Sequence, residues 1–126
     1  MATVLCTKGK EIISGRIADI GSIPAYLGAG TGAGTADVAD VTLFSETGTR
    51  VQCQASIVTT TTANDTCRFV GTITNFDAVK TLTNVGIFDA ASSGNLLCKA
   101  DSVNQVLDTN EGLTVTWDLK ITGACP

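Results

Sequence analysis

Between Arg50 and Thr122 apolar and polar residues alternate with a period of two, the spacing of strands that bury one face. Val51, Cys53, Ala55 and Ile57 alternate with Gln52, Gln54 and Ser56, and the β-branched run Thr59–Thr62 extends the pattern. Ala63-Asn64-Asp65-Thr66 reads as a turn, because Asn and Asp tolerate left-handed backbone and bond their own main chain. Cys67, Phe69, Gly71 and Ile73 then form the returning inward face of a long hairpin. A second hairpin is predicted for Val85–Phe88 and Leu96–Lys99 around Ala90–Asn95. After a turn at Asn110-Glu111-Gly112, a closing strand points Leu113, Val115, Trp117, Leu119 and Ile121 one way, and Thr114, Thr116, Asp118 and Lys120 the other.

The N-terminal part has a different rhythm. Ile13, Ile17 and Ile20 stand at i, i+4 and i+7 and predict a short helix over 7–20, capped by Thr7 and ended by Gly21 and Pro24. Ala25-Tyr26-Leu27 leads into a stretch with Gly28, Gly30, Gly32 and Gly34 at alternate positions. Glycine weakens both helix and strand interiors, so a surface loop is predicted there. Asp37 and Asp40 suggest a polar turn, and Val41–Phe44 reads as entry into the sheet. The expected fold is mainly β: one structural domain over 1–126, an antiparallel β-sandwich or jelly-roll-like barrel with a β-rich core over 41–122 and one short N-terminal helix.

Composition adds a second expectation. Hydrophobic residues make up 44% of the 126 and charged residues only 16%, against about 25% in an average domain. A surface with so few charges leaves apolar area to cover, so a symmetric homo-oligomer is expected, with a trimer favoured. Tyr26 and the glycines Gly28, Gly30, Gly32 and Gly34 are the candidate contact residues, tyrosine being enriched at interfaces. The net charge of −4 and singly scattered lysines and arginines argue against nucleic acid. No run approaches about 20 apolar residues, and the first residues lack a charged segment ahead of an apolar one. Neither a membrane span nor a secretory signal is therefore expected.

The chemistry available is sparse. With no histidine, neither a Ser-His-Asp nor a Cys-His arrangement can form. The carboxylates Asp37, Asp40, Asp65, Asp89, Asp101, Asp108 and Glu111 fall in turns, where local hydrogen bonding and solubility explain them better than a hydrolytic pair. Gly28-x-Gly30-x-x-Ala33 fits a loose dinucleotide fingerprint, but no helix pattern follows it, and no lysine occurs between Lys10 and Lys80 to complete a phosphate loop. Cys6, Cys53, Cys67, Cys98 and Cys125 are odd in number and widely spaced. Cys53, Cys67 and Cys98 are expected to be buried free thiols from a reducing cytosol, and Cys125 to be exposed. Trp117, Phe88, Phe44, Phe69 and Phe76 are expected in the core rather than along a carbohydrate groove. No catalytic residue, cofactor or metal site is assigned.

The order of blocks also carries a resemblance. A helical segment is followed by Pro-Ala-Tyr-Leu-Gly-x-Gly-Thr-Gly, Asp-Val-Thr-Leu-Phe-Ser-Glu-Thr and a Thr-rich hairpin with Ala-Asn-Asp-Thr. Then come Asn84–Leu97 and a closing Gly-Leu-Thr-Val-Thr-Trp strand. Over nearly its whole length, and most specifically at Asn84–Leu97, the chain resembles the small virion proteins of tailed bacteriophages that include tail-fibre-like and capsid decoration (cement) proteins. The resemblance implies an assembled, non-enzymatic role in the virion of a protein made in the host cytoplasm. The implied partner is the major capsid protein, and capsid decoration is favoured over a tail-fibre or tail-tip role in receptor binding, because shaft repeats and a longer receptor-binding part are missing.

Overall fold

The hairpin predicted from the alternation forms the backbone of one sheet. In the computed structural model, which describes residues 1–123 and Cys125, β5 (Thr66–Thr74) pairs antiparallel with β10 (Gly112–Lys120) and with β4 (Gln54–Val58). The register sets Trp117 opposite Phe69 and Leu113 opposite Ile73 on the inner face, and Asp118 opposite Arg68 on the outer. Arg68 and Asp118 form a two-point ion pair, with Nε–Oδ1 at 2.7 Å, and Thr72 bonds Thr114 beside it. The polar half of the alternation thus makes the solvent face.

The second sheet has five antiparallel strands in the order β1-β8-β7-β2-β3: β1 (Thr3–Leu5), β8 (Leu96–Ala100), β7 (Asn84–Phe88), β2 (Tyr26–Gly30) and β3 (Glu46–Gln52). The two sheets stack as a sandwich, with Leu27, Val85, Ile87, Cys98 and Ala100 from one packed on Phe69, Ile73 and Trp117 from the other. A small pair, β6 (Lys80–Leu82) with β9 (Gln105–Leu107), adds Leu82 and Leu107 to this core. The fold is therefore mainly β, and among the described residues no helix is long and apolar enough to cross a membrane.

Four expectations need correction. The single strand predicted after Arg50 is two: the chain breaks at Cys53, whose N–H donates to the Ala25 carbonyl, and passes from one sheet to the other. The helix α1 spans Thr7–Ile17 rather than 7–20. Cys6 occupies the capping position without a side-chain bond, and Asp19, at φ 59°, turns the chain out of the helix two residues before Gly21. Within it Ile12 is buried and Ile17 exposed, and Ile20, beyond its end, is exposed too. The glycine stretch is a loop only from Thr31 onward, since Gly28 and Gly30 lie in β2, in the middle of the five-stranded sheet. Val41–Phe44 does not enter a sheet as a strand.

The last two corrections share one cause. On the outer side of the five-stranded sheet, Gly28 is paired with Gly86, and Gly30 with Asn84, leaving a strip whose one side chain is that of Asn84. The segment 36–45 crosses this strip as a strap, with Leu43 seated on the glycine pair; a Cβ at Gly86 would stand 2.8 Å from Leu43 Cδ2. Leu43 completes a second small core with Cys6, Phe88 and Leu96. Asn84 clasps the strap at both backbone groups of one residue, accepting from Phe44 N–H (2.9 Å) and donating to Phe44 C=O (3.0 Å). Lys99 and Asp40 fasten it further along.

The five cysteines are unbridged: Cys6, Cys53 and Cys98 are buried, Cys67 half-buried and Cys125 exposed. Burial pushes the thiols of Cys6, Cys53, Cys67 and Cys98 above their ordinary range, so they are protonated and slow to react at neutral pH. Mass spectrometry of protein alkylated under native conditions should find Cys125 modified first and all five labelled after denaturation. A defined Cys53–Cys67 bridge would contradict the arrangement.

Candidate functional site

The three-stranded sheet is longer than the layer that covers it. Near one end its inner face carries Ile57 on β4, Cys67 on β5 and Leu119 on β10, with Ile57 and Leu119 both in register with Cys67. Ile121 continues the same row beyond β10. These are the inward positions of the period-two pattern, yet Ile57 is 69% exposed and Ile121 60%. Across from them stand Ile13 and Ile17 of α1 and the Ile23-Pro24 turn, with Ile17 84% and Ile23 58% exposed. Together these residues enclose an open groove of about 480 Å³ between helix and sheet, floored by Phe69 and Leu97.

The lining is almost wholly apolar. Its one charged residue, Arg16, is engaged at the rim, donating from Nη1 to the Gly21 carbonyl at 2.8 Å. Among the described residues no carboxylate lines the groove, and the one thiol, Cys67, has its pKa raised by burial. Such a surface offers no group for proton transfer or nucleophilic attack, and it excludes water from whatever lies on it. Its chemistry suits contact with apolar surface rather than reaction.

The contact residues proposed from sequence lie elsewhere. Tyr26 is half-buried on β2, packed on the core of Leu43 and Phe88, and borders a shallow polar hollow with Gln52 and Asp89. Gly28 and Gly30 are buried beneath the strap, Gly32 is half-buried beside Phe44, and Gly34 is exposed. The glycines therefore serve an internal contact, in which the strap takes the place of a partner. Of the aromatic residues Trp117, Phe88 and Phe69 are buried and Phe44 is half-buried, whereas Phe76, expected in the core, is 76% exposed on the connection between β5 and β6.

The groove could have been suspected from sequence. Ile13 and Ile17 of the helix, and Ile57, Leu119 and Ile121 of the strands, are all placed inward by periodicity, more apolar positions than a single helix turn and one sheet end can cover. No protein-family model, curated protein or solved structure matches the chain.

Proposed function

We propose that the protein is a non-enzymatic, self-associating structural subunit of a tailed-phage particle, and within that class a capsid decoration (cement) protein bound to the major capsid protein on the outer lattice. The observation that carries this reading is the open apolar groove on an otherwise well-packed β-sandwich, a surface suited to being covered in an assembly and lacking reactive groups. The block order from Pro24 to Trp117 that resembles small phage virion proteins supports it. A tail adhesin needs exposed aromatic and polar recognition loops, and among the described residues Phe76 is the one largely exposed aromatic ring.

A cement protein stabilises the shell by binding across joints between capsid subunits. Each contact can be weak, because engaging several subunits at once raises the effective concentration of the rest. Binding only the mature lattice shifts the equilibrium toward it by mass action. Particles assembled without the protein should therefore release DNA at a lower temperature, while adsorption to cells stays unchanged. Particles that keep full heat resistance but fail to attach to cells would transfer the protein to the tail.

A further inference from the structure

The strand that borders the apolar groove is also the least protected edge of the molecule. β4 ends the order β10-β5-β4, and among the described residues its backbone hydrogen bonds go only to β5. Its outward N–H and C=O groups face solvent. Proteins normally blunt such an edge with charge, proline, a bulge or shortness. Here no charged residue and no proline occurs from Val51 to Asn64, and β4 itself reads Gln-Ala-Ser-Ile-Val. The other edges are guarded: β10 carries Asp118 and Lys120, β3 carries Glu46 and Arg50, and β1, β6 and β9 have three residues each.

We propose that the edge of β4 pairs with the β4 edge of a second copy of this chain across a two-fold axis, joining two three-stranded sheets into one of six strands and covering the adjoining parts of both grooves. The proposal rests on the reading of the protein as a self-associating subunit, and it names the surface and symmetry of that association. A two-fold contact requires a patch complementary to itself. Antiparallel pairing centred on Ser56 meets this, setting Ser56 against the partner's Ser56, Ala55 against the partner's Ile57 and Gln54 against the partner's Val58. No like charges meet, and the apolar residues Ala55 and Ile57 form one stripe continuous across the axis. The strand edge adjoins Ile57, Ile23, Ile17 and Ile121, each more than half exposed, which add apolar surface toward the roughly 800 Å² that each partner gives to a stable pair. The unit is then a dimer, in place of the trimer that composition suggested.

The register makes the test specific. Ser56 is exposed on the outer face and paired with Arg68 of the same chain, so Ser56→Glu is tolerated by the isolated fold but sets two carboxylates against each other across the axis. Sedimentation velocity at micromolar concentration should give a dimer for the wild-type protein. S56E should raise the dissociation constant at least tenfold with unchanged far-UV circular dichroism. In a Cys125→Ser background, oxidised Ser56→Cys should form a covalent dimer, since directly opposed strand residues lie within the Cα separation of a disulfide. Thr62→Cys, exposed and far from the axis, should not. If the wild-type protein associates but neither S56E nor S56C has these effects, the β4 contact is overturned while the self-associating reading stands. A wild-type monomer at all concentrations overturns the contact too, and the particle-heating experiment then judges the virion role alone. Should S56E fail to fold, the crosslinking comparison decides.

Discussion

Replacing Lys99 by methionine should lower stability by about 3 kcal/mol and the unfolding midpoint by on the order of 10 °C. Lys99 lies in β8 with its side chain fully buried. Its Nζ is 3.0 Å from Asp40 Oδ2 and 2.8 Å from the Thr42 carbonyl, and sits over the Phe44 ring at 3.3 Å from the centroid. All three partners belong to the strap. Methionine fills much of the stem's volume but leaves the Thr42 carbonyl without its donor and Asp40 without its counter-charge. Removing one member of a buried pair typically costs 3–5 kcal/mol; the lower end applies because the Asp40 side chain is 24% exposed and can recover some hydration. Adding Asp40→Asn to Lys99→Met should cost less than the two single losses summed, since the pair acts as a unit. Thermal unfolding of the four proteins measures this, and a change below about 1 kcal/mol for Lys99→Met would show that the lysine does not fasten the strap.

The same contact fixes the direction of the pH dependence. Burial works to raise the Asp40 pKa, but the Asp37 N–H and the Lys99 ammonium outweigh it, so the carboxyl titrates below its ordinary value of 3.8. Asp101 is lowered by the N–H groups of Ala2 and Ala36, and Asp118 by Arg68. A folded-state pKa below the unfolded one contributes stability that is present above the unfolded value and is lost as pH falls through the folded value. Stability should therefore be level through neutral pH and decline below about pH 4, with Lys99→Met flattening the share due to Asp40.

What the sequence made legible was the direction in which residues point, and what it hid was the extent of the layers. The inward sets Cys67–Phe69–Gly71–Ile73 and Leu113–Val115–Trp117–Leu119 do face the core side, and the Val85–Phe88 and Leu96–Lys99 strands pair as a hairpin. Periodicity cannot say where the opposing sheet stops, so it places Ile57 and Ile121 in a core that does not reach them. The sheet change at Cys53 has no glycine or proline to announce it. The glycine strand β2 runs against propensity, which reflects each glycine's backbone entropy and not what packs on the bare surface. A signal existed: Leu27 and Ala29 alternate with Tyr26, Gly28 and Gly30, a strand pattern in which glycine stands where a side chain is normally polar. Lys99 ends a predicted strand, and nothing near it in the sequence signals its burial, because only the strap, distant in sequence, encloses it.

Gly30→Ala should destabilise the protein by about 3 kcal/mol, at the upper end of overpacking effects, although alanine suits a strand better than glycine and the Gly30 backbone is one that any residue adopts. A Cβ at this position would collide with the Phe44 carbonyl oxygen and stand 2.8 Å from Asn84 Nδ2. The first is main chain and the second is held at both ends by its bonds to Phe44, so neither can rotate aside. Relief requires lifting the strap from the sheet, which withdraws Leu43 from Phe88 and Leu96 and loosens the Lys99 contacts as well. Gly48→Ala is the comparison. Gly48 has φ +71° with open space around it, so alanine there suffers only backbone strain of about 1–2 kcal/mol. Hydrogen exchange separates the two mechanisms. Gly30→Ala should speed exchange at the N–H groups of Ala36 and Phe44, which donate to Asp101 and Asn84, beyond what the global loss explains. Gly48→Ala should lower the midpoint while leaving those two amides protected up to the global limit. A Gly30→Ala protein with wild-type stability and unchanged strap protection would mean that the strap does not lie on the glycine strip.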